Sequence, residues 1–357
     1  MASGQTGMNR GAKAVTGQGA RVYLSRISHD LRSGLRDALE WVGASEVVSS
    51  GARVFLKPNL TWRHHLPGVT TTPIFIEAVV SLLRDRTRNL VVGESDGGYH
   101  SFKAEEAFES HGLYNLRKRF GIQVVNLSNG GSESRSVEIA GRPVTVDLPR
   151  FLLEEVDVFI TLPVPKVHVM TRVSLGFKNQ WGCQPGAMRL RNHPDFARKI
   201  LAINTLLKPR LALYDGAYFL DKTGPMIGEP VQLDLLIAAD DVGAGDLACC
   251  EIMGIDPQRI AHLRLAKYEK MMPCSLKEVD LNQSLEAFKT HRFRLRRSVI
   301  NYIALAAFHS QFGTQLLYDS IAAGPIHRVL YAIRKNRLIG RLLYGQTGPP
   351  TAENRLS

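Results

Sequence analysis

Short apolar stretches rich in β-branched residues alternate with stretches of helical periodicity through the first 270 residues, and this alternation constrains the fold more than any other feature. It predicts strands at residues 21–24, 53–56, 90–92, 121–125, 156–162, 211–214 and 233–238. The other segments predict helices at 30–42, 72–83, 103–111, 241–254 and 257–267, and a hairpin at 135–147. Because strands joined through helices form right-handed crossovers, we expect an α/β fold with a mostly parallel sheet flanked by helices.

The remaining segments lie at the two ends of the chain. Residues 1–20 are rich in Gly, Ser, Thr and Ala and lack the apolar core of a signal peptide, so we predict a disordered leader. Residues 21–270 are expected to form the α/β domain, as one body or as two lobes. Residues 291–344 predict a basic α-helical C-terminal extension, with helices at 292–308, 311–322 and 326–343, and residues 345–357 a flexible tail. No 18-residue apolar run without charge occurs, so we expect a cytoplasmic protein, with peripheral membrane contact left open.

The net charge of +12 is concentrated in the C-terminal extension, where nine Arg and Lys residues accompany one acid, Asp319. Such helices fit contact with an anionic membrane, contact with an acidic or ferredoxin-like protein, or a solvated cap packed on the α/β body. Nucleic acid is disfavoured as a partner, because the sequence has no RRM, KH or helix-turn-helix pattern.

Polar residues follow five of the predicted strands, after Leu56, Val92, Leu162, Tyr214 and Ala239. In parallel sheets a ligand binds beyond the carboxyl ends of the strands, so five such loops at one edge predict a shared site. The loop after Val92 is neither a GxGxxG fingerprint nor a Walker A loop, and nucleotide binding in those modes is not predicted.

Cationic, amide and acidic side chains make up the expected wall of this site. Lysine offers charge and asparagine offers amide donors to a phosphate or carboxylate, while the two acids lie in a glycine-rich loop that would hold a cation or cover the site. Each residue also fits a plain surface loop. The expected substrate-binding residues are Lys57, Asn59, Lys178, Asn179, Glu94 and Asp96.

Four residues are candidates for catalytic groups: His168, Lys166, His193 and Asp215. Lys166 and His168 are two residues apart in an extended segment, so their side chains project to the same side. A cation beside a histidine disfavours its protonation, which suits a general base near neutral pH. His193 is a second acid or base, and Asp215 would orient a lysine or histidine. A structural pairing of Lys166 with His168 is the alternative.

Metal and cofactor binding are left open by the sequence. His168, His193, Asp215 and Asp240 carry donor atoms, but no two of them have a diagnostic ligand spacing. The four cysteines form no CxxC pair, so no intrinsic iron–sulfur cluster is expected, and a reducing compartment fits them. They are Cys183, Cys249, Cys250 and Cys274.

The ordered series of short motifs resembles the domain of unknown function 362 family over about residues 50–265. The motifs include Lys57-Pro58-Asn59, Gly93-Glu94-Ser95, Pro165-Lys166-Val167-His168, Lys178-Asn179 and Asp215-Gly216. The resemblance implies the α/β fold, a shared polar site and an iron–sulfur association, since many members carry an appended ferredoxin module. This chain departs from the family there, because it has no CxxCxxC run.

Two functional hypotheses follow. The first is an enzyme, redox-linked in one variant, that acts on a small anionic substrate held by Lys57, Lys166 and Lys178, with His168 transferring a proton. The second is a non-catalytic binding or assembly protein that docks to a membrane or an acidic partner through its basic C-terminal helices.

Overall fold

The fold is that of a computed structural model, which describes residues 19–27, 30–187, 189, 195–298, 301–302, 304–306, 310–316, 320–321 and 325. Its strands are β1 (Ala20–Arg26), β2 (Val54–Pro58), β3 (Leu90–Glu94), β4 (Gln123–Asn126), β5 (Ser132–Ile139), β6 (Arg142–Pro149), β7 (Val158–Leu162), β8 (Lys166–His168), β9 (Arg172–Ser174), β10 (Leu211–Asp221), β11 (Glu229–Ala239) and β12 (Val279–Leu281). Its helices are α1 (Leu31–Trp41), α2 (Ala44–Val47), α3 (Pro73–Arg84), α4 (Ala104–Ser110), α5 (Leu113–Phe120), α6 (Arg150–Glu154), α7 (Gly176–Asn179), α8 (Phe196–Leu207), α9 (Val242–Met253), α10 (Ala261–Tyr268) and α11 (Gln311–Thr314). Short 3₁₀ turns lie at Gly98–His100, Gln180–Cys183, Pro257–Arg259, Leu276–Glu278 and Glu286–Phe288.

A ten-stranded mixed sheet forms the centre of the fold, in the order β12-β1-β11-β10-β7-β2-β3-β4, with β8 and β9 attached beside β10. The pairs β10–β7, β7–β2, β2–β3 and β3–β4 are all parallel, which confirms a mostly parallel sheet. β5 and β6 form the separate hairpin expected around Gly141.

Helices cover both faces of the sheet, because consecutive strand residues bury against opposite layers. In β2, Val54 and Leu56 pack into the core under α1, α3, α4 and α5, whereas Phe55 packs into the core under α8, α9 and α10. Burying one side chain of this size contributes about 1.5–3 kcal/mol. The continuous apolar runs of the parallel strands thus contribute side chains to the hydrophobic cores on both faces of the sheet.

Two expectations about β10 and β11 are wrong. The strand expected to end at Tyr214 continues to Asp221, and β11 pairs antiparallel with it through most of its length. Since β11 runs against its neighbour, the residues after Ala239 lie at the opposite edge of the sheet from the other polar loops. There Asp240 accepts hydrogen bonds from the Arg21 backbone N–H (2.7 Å) and Nε–H (2.8 Å), and it is not part of the predicted site.

The first residues of the C-terminal extension are extended, although a helix was expected from residue 292. The backbone N–H of Arg294 donates to Asp221 Oδ1 (2.7 Å), and that of Arg296 donates to the Lys222 carbonyl (2.8 Å). Residues at the end of β10 thus accept the N–H groups that would bond within a helix. Phe293 is buried, while Arg292, Arg294 and Arg296 are exposed at alternate positions. We call residues 291–298 the C-terminal strap. Most of the extension beyond it, residues 1–18 of the leader and the tail lie outside the described residues.

No helix within the described ranges combines the length and the apolarity needed to cross a bilayer.

Candidate functional site

Seven of the ten residues expected at the site line one cavity beyond the carboxyl ends of β2 and β3. They are Lys57, Asn59, Glu94, Lys166, His168, Lys178 and Asn179. The cavity measures about 110 Å³, below the range of about 300–1,000 Å³ common for drug-sized ligands. Further polar lining residues are Thr61, Ser95, Ser174, Trp181 and Arg189. The site is therefore small and rich in cations.

Lys57 and Glu94 form a buried ion pair in the cavity wall. Their side chains are 1% and 6% exposed, and Lys57 Nζ lies 2.5 Å from Glu94 Oε2. Glu94 also accepts the backbone N–H groups of Leu60 (3.1 Å) and Ser95 (3.0 Å). Gly182 packs so closely that a Cβ there would lie 2.6 Å from Glu94 Oε1. The charge of Lys57 is thus neutralised within the wall itself.

Lys166 is wholly buried behind the same wall. Its ammonium donates to the carbonyl of Val69 and, at 3.4 Å, to Asn59 Oδ1. Burial and the nearby Lys178 lower the pKa of Lys166 well below its usual value, and Asp215 acts in the opposite direction. Neutral oxygen acceptors therefore hold a lysine whose charge is strongly disfavoured.

His168 follows Lys166 by two residues on β8 and lines the same cavity. Its Nδ1 accepts the backbone N–H of Met170 at 3.1 Å. Because Nδ1 is an acceptor, the neutral ring carries its proton on Nε2. In this tautomer the one lone pair of the neutral ring, on Nδ1, is engaged by Met170, and Nε2 presents a proton.

The short helix α7 carries Lys178 and Asn179, which have different roles. Asn179 Nδ2 donates to the Lys57 carbonyl (3.0 Å) and to Thr161 Oγ1 (2.9 Å), so its amide fastens α7 to the sheet. Lys178 Nζ lies 5.8 Å from the ring centroid of Phe196, and no described residue gives it a hydrogen bond or ion pair. Burial and then the cation of Arg189 lower the pKa of Lys178 from 10.5 to about 7.

Asp246 is hydrogen-bonded to the backbone of the first turn of α7. Its carboxyl accepts the backbone N–H groups of Gly176 (2.6 Å) and Phe177 (3.1 Å) and the hydroxyl of Tyr214 (2.7 Å). A Cβ on Gly176 would lie 2.6 Å from the Tyr214 oxygen, so only glycine fits there. Burial raises the pKa of Asp246 to about 7.

Arg189 is a cavity residue that the sequence reasoning missed. Its guanidinium donates to Ser95 Oγ (2.8 Å), the Gln184 carbonyl (3.1 Å) and the Asp96 carbonyl (2.9 Å). All three acceptors are neutral, and no carboxylate among the described residues pairs with it. No sequence motif distinguishes Arg189 from the neighbouring Arg191, so only the folded loop could reveal it.

Two expected site residues, Asp96 and Asp215, do not line the cavity in the described structure. Asp96 accepts from the Ala104 backbone N–H at the start of α4 and pairs with Lys103 (2.7 Å), which makes it a capping residue. Asp215 accepts the backbone N–H (2.6 Å) and the hydroxyl of Thr72, the residue that caps α3. His193 lies outside the described residues, and its role stays a prediction.

Comparison with known proteins assigns the chain to a family. The model of the family described as domain of unknown function (DUF362) matches residues 54–251. The chain belongs to this family. A DUF362 relative, the thylakoid-associated protein of Synechocystis sp. (strain ATCC 27184 / PCC 6803 / Kazusa), is 29% identical over 240 residues, which are 64% of this chain and 72% of the relative.

Two solved structures align with this DUF362 chain at low similarity. The lactate racemase apoprotein from Thermoanaerobacterium thermosaccharolyticum is 13% identical with a TM-score of 0.42, over 66% of this chain and 57% of that one. A protein from Thermotoga maritima is 12% identical with a TM-score of 0.36, over 66% and 59%. The alignments span less than two thirds of either solved chain.

Three of the four cysteines of this DUF362 protein are poorly suited to bind an iron–sulfur cluster. Cys183, Cys249 and Cys250 are buried. Burial raises the pKa of Cys183 to about 12 and those of the other two well above the usual value, whereas cluster ligation requires thiolates. Among the described residues, no group of three or more His, Cys, Asp or Glu side chains could hold a metal ion.

Proposed function

We propose that this DUF362 protein is an enzyme that binds a small anion in the cavity and transfers a proton to or from it. The observation that carries the proposal is that Lys178 and Arg189 both line the cavity while neither pairs with a described carboxylate. A unit charge 4 Å from another is worth about 4 kcal/mol at an effective dielectric constant of 20. An anion between these two cations would offset the cost of burying them.

The remaining cavity residues support a division of roles. Lys57 is already neutralised by Glu94, so this pair shapes the wall and leaves the anion to Lys178 and Arg189. His168, which lines the cavity, is the proposed acid–base group. Lys166 and Asn59 complete the wall beside it. The volume of the cavity favours a small carboxylate or phosphate over a nucleotide.

Calorimetric titration with oxalate tests the binding step. Oxalate is fully ionised at pH 7, and its charge should raise the pKa of Lys178, so binding should take up protons, about half a proton per site at pH 7. Titrations in buffers of different ionisation enthalpy measure this uptake. Lys178→Met should abolish binding, whereas Lys118→Met, which removes an exposed lysine on α5, should bind as the wild type does.

Either of two results would contradict the proposed binding of an anion. Unchanged oxalate affinity in Lys178→Met, or no heat of binding for oxalate and for inorganic phosphate, would remove its basis. Catalysis is tested in vivo: His168→Gln should fail to replace the wild-type gene while its melting temperature stays within a few degrees of the wild type. Full complementation by His168→Gln would leave a binding protein rather than an enzyme.

A second candidate function is peripheral docking to an anionic surface from the cytoplasmic side. It is favoured by the three exposed arginines of the C-terminal strap, Arg292, Arg294 and Arg296, and the related protein is described as thylakoid-associated. Vesicle flotation tests it: wild-type protein should float with phosphatidylglycerol-containing vesicles at low salt, and a triple Arg→Gln variant should not. Protein that stays in the bottom fraction with anionic vesicles would contradict this function.

The family resemblance also supports a redox-linked variant, in which an acidic ferredoxin-like protein binds the same arginines. It predicts salt-sensitive binding of a ferredoxin to the immobilised protein, and the absence of binding at low salt would contradict it.

A further inference from the structure

The three cavity lysines differ in what their ammonium groups can do. Lys57 is held in an ion pair with Glu94. Lys166 is 0% exposed and is engaged by the Val69 carbonyl and Asn59. Lys178 is only partly buried, lines the cavity, and has no hydrogen-bond or ion-pair partner among the described residues. Lys178 is therefore the lysine whose nitrogen is available to a ligand.

The guanidinium of Arg189 has donors left over beside this lysine. Its Nη1 donates to two oxygens and its Nη2 to one, so Nε–H and one Nη2–H have no acceptor in the described part of the chain. Two N–H groups of a guanidinium match the two oxygens of a carboxylate. Arg189 also lies close enough to Lys178 to affect its ionisation.

We propose that Lys178 forms an imine with the carbonyl carbon of a small 2-oxo acid whose carboxylate is held by Arg189. This inference rests on the proposed anion site and names its substrate class. It goes further than general acid–base chemistry, because it assigns a covalent bond to one nitrogen. A lysine desolvated beside another cation is an established way to obtain a nucleophilic amine.

The ionisation of Lys178 supports the same assignment. With a pKa of about 7, about half of the amine is neutral at pH 7, against about one molecule in 3,000 for an ordinary lysine. Only the neutral amine carries the lone pair that attacks a carbonyl. The local environment therefore increases the reactive fraction on the order of a thousandfold.

The step balances without any oxidant or metal. The neutral amine adds to the carbonyl carbon, a C–N bond forms, the C=O π bond breaks, and one N–H proton moves to the oxygen to give a carbinolamine. A proton from solvent then joins the hydroxyl, the C–O bond breaks, and water leaves. The product is a protonated imine that keeps one hydrogen on nitrogen. His168, which lines the same cavity, is the side chain that would relay the proton.

Reductive trapping tests the imine. Wild-type protein is incubated with pyruvate and sodium cyanoborohydride at pH 7, and every lysine peptide is quantified by mass spectrometry. We expect a stable carboxyethyl adduct on Lys178 at more than about ten times the level on exposed Lys118, given the difference in neutral amine. Acetone, which lacks the carboxylate, should label Lys178 far less, and Arg189→Met should reduce pyruvate labelling to the acetone level.

The controls separate this inference from the function on which it rests. Labelling of Lys178 no stronger than that of Lys118, or equal labelling by acetone and pyruvate, would overturn the imine. If Lys178 stays unlabelled while oxalate still binds, the imine fails and the anion site survives. If neither oxalate nor inorganic phosphate binds and Lys178 is not labelled, both proposals fail.

Discussion

Lys178→Met should stabilise the fold at neutral pH, although it removes the proposed ligand-binding group. The pKa of Lys178 is lowered from 10.5 to about 7, first by burial and second by Arg189. Since one pKa unit corresponds to about 1.4 kcal/mol, ionised Lys178 costs the folded state at most about 5 kcal/mol below pH 7. Screening through the open side of the cavity reduces the expected gain to about 2–4 kcal/mol.

The effect of Lys178→Met on the free energy of unfolding should depend on pH. Between pH 7 and pH 10.5 the unfolded chain binds more protons at this lysine than the folded chain, so wild-type stability rises with pH in that window. Methionine has no such group. The advantage of Lys178→Met should therefore be largest at or below pH 7 and fall below about 1 kcal/mol at pH 10.

Urea unfolding followed by tryptophan fluorescence at pH 7 and pH 10 measures both quantities. Lys118→Met serves as the matched control, because the same change on the exposed face of α5 should alter the free energy of unfolding by less than about 0.5 kcal/mol. A midpoint of Lys178→Met at or below that of the wild type at pH 7 would refute the reasoning. An identical gain at the two pH values would refute it as well, since the gain would then come from packing and not from charge.

Three further changes probe the structure around the cavity. Gly182→Ala places a methyl group 2.6 Å from Glu94 Oε1, so it should lower the oxalate affinity and reduce the free energy of unfolding by about 1–3 kcal/mol. Gly130→Ala is the control: no atom lies within 4 Å of the added carbon, so it should change neither the affinity nor the stability. Glu94→Gln leaves the Lys57 ammonium buried without its carboxylate and should cost about 3–5 kcal/mol in urea unfolding, most of it recovered when Lys57 is changed to Met as well. The pKa of Asp246 is raised from 3.8 to about 7, so between these pH values the folded chain binds more protons at this residue than the unfolded chain. The folded state therefore loses stability, up to about 4 kcal/mol, as the pH rises from 3.8 to about 7. Asp246→Asn should remove this slope from the stability-against-pH curve, and a slope that persists would contradict the assignment.

The residues of the proposed anion site carry a stability cost that these predictions measure. Burial disfavours the charged forms of both Lys178 and Asp246. The two residues are linked through α7, because Asp246 accepts from the first turn of the helix that carries Lys178. Groups kept at such a cost cluster at functional sites. Lys178 on α7 is therefore a better candidate for a reactive group than Lys57, because Glu94 compensates the charge of Lys57.

The sequence alone was sufficient for the elements whose signal is local. Apolar runs located β2, β3, β7 and the beginning of β10, and the helical periods located α1, α3, α4 and α9, since each of these patterns reports only which side chains must leave water. The N-cap of α9 is equally local, because Asp241 accepts from the N–H group of Ala244 within its own turn (2.7 Å). The polar residues that follow β2, β3 and β7 were found for the same reason.

Only the tertiary structure decided which of those polar residues meet, and in what ionisation state. The direction of β11 depends on its pairing with β10, and that pairing moved Asp240 to the far edge of the sheet. Arg189 reaches the cavity through a loop without a motif. Asp96 instead accepts from the first N–H group of α4, and Asp215 accepts from Thr72, the N-cap residue of α3. The sequence predicted the site from its lysines, but their partners in the fold distinguish the roles of these lysines: Glu94 neutralises Lys57, and no described residue neutralises Lys178. Charge compensation depends on distances between residues far apart in the chain, and no periodicity within the chain encodes those distances.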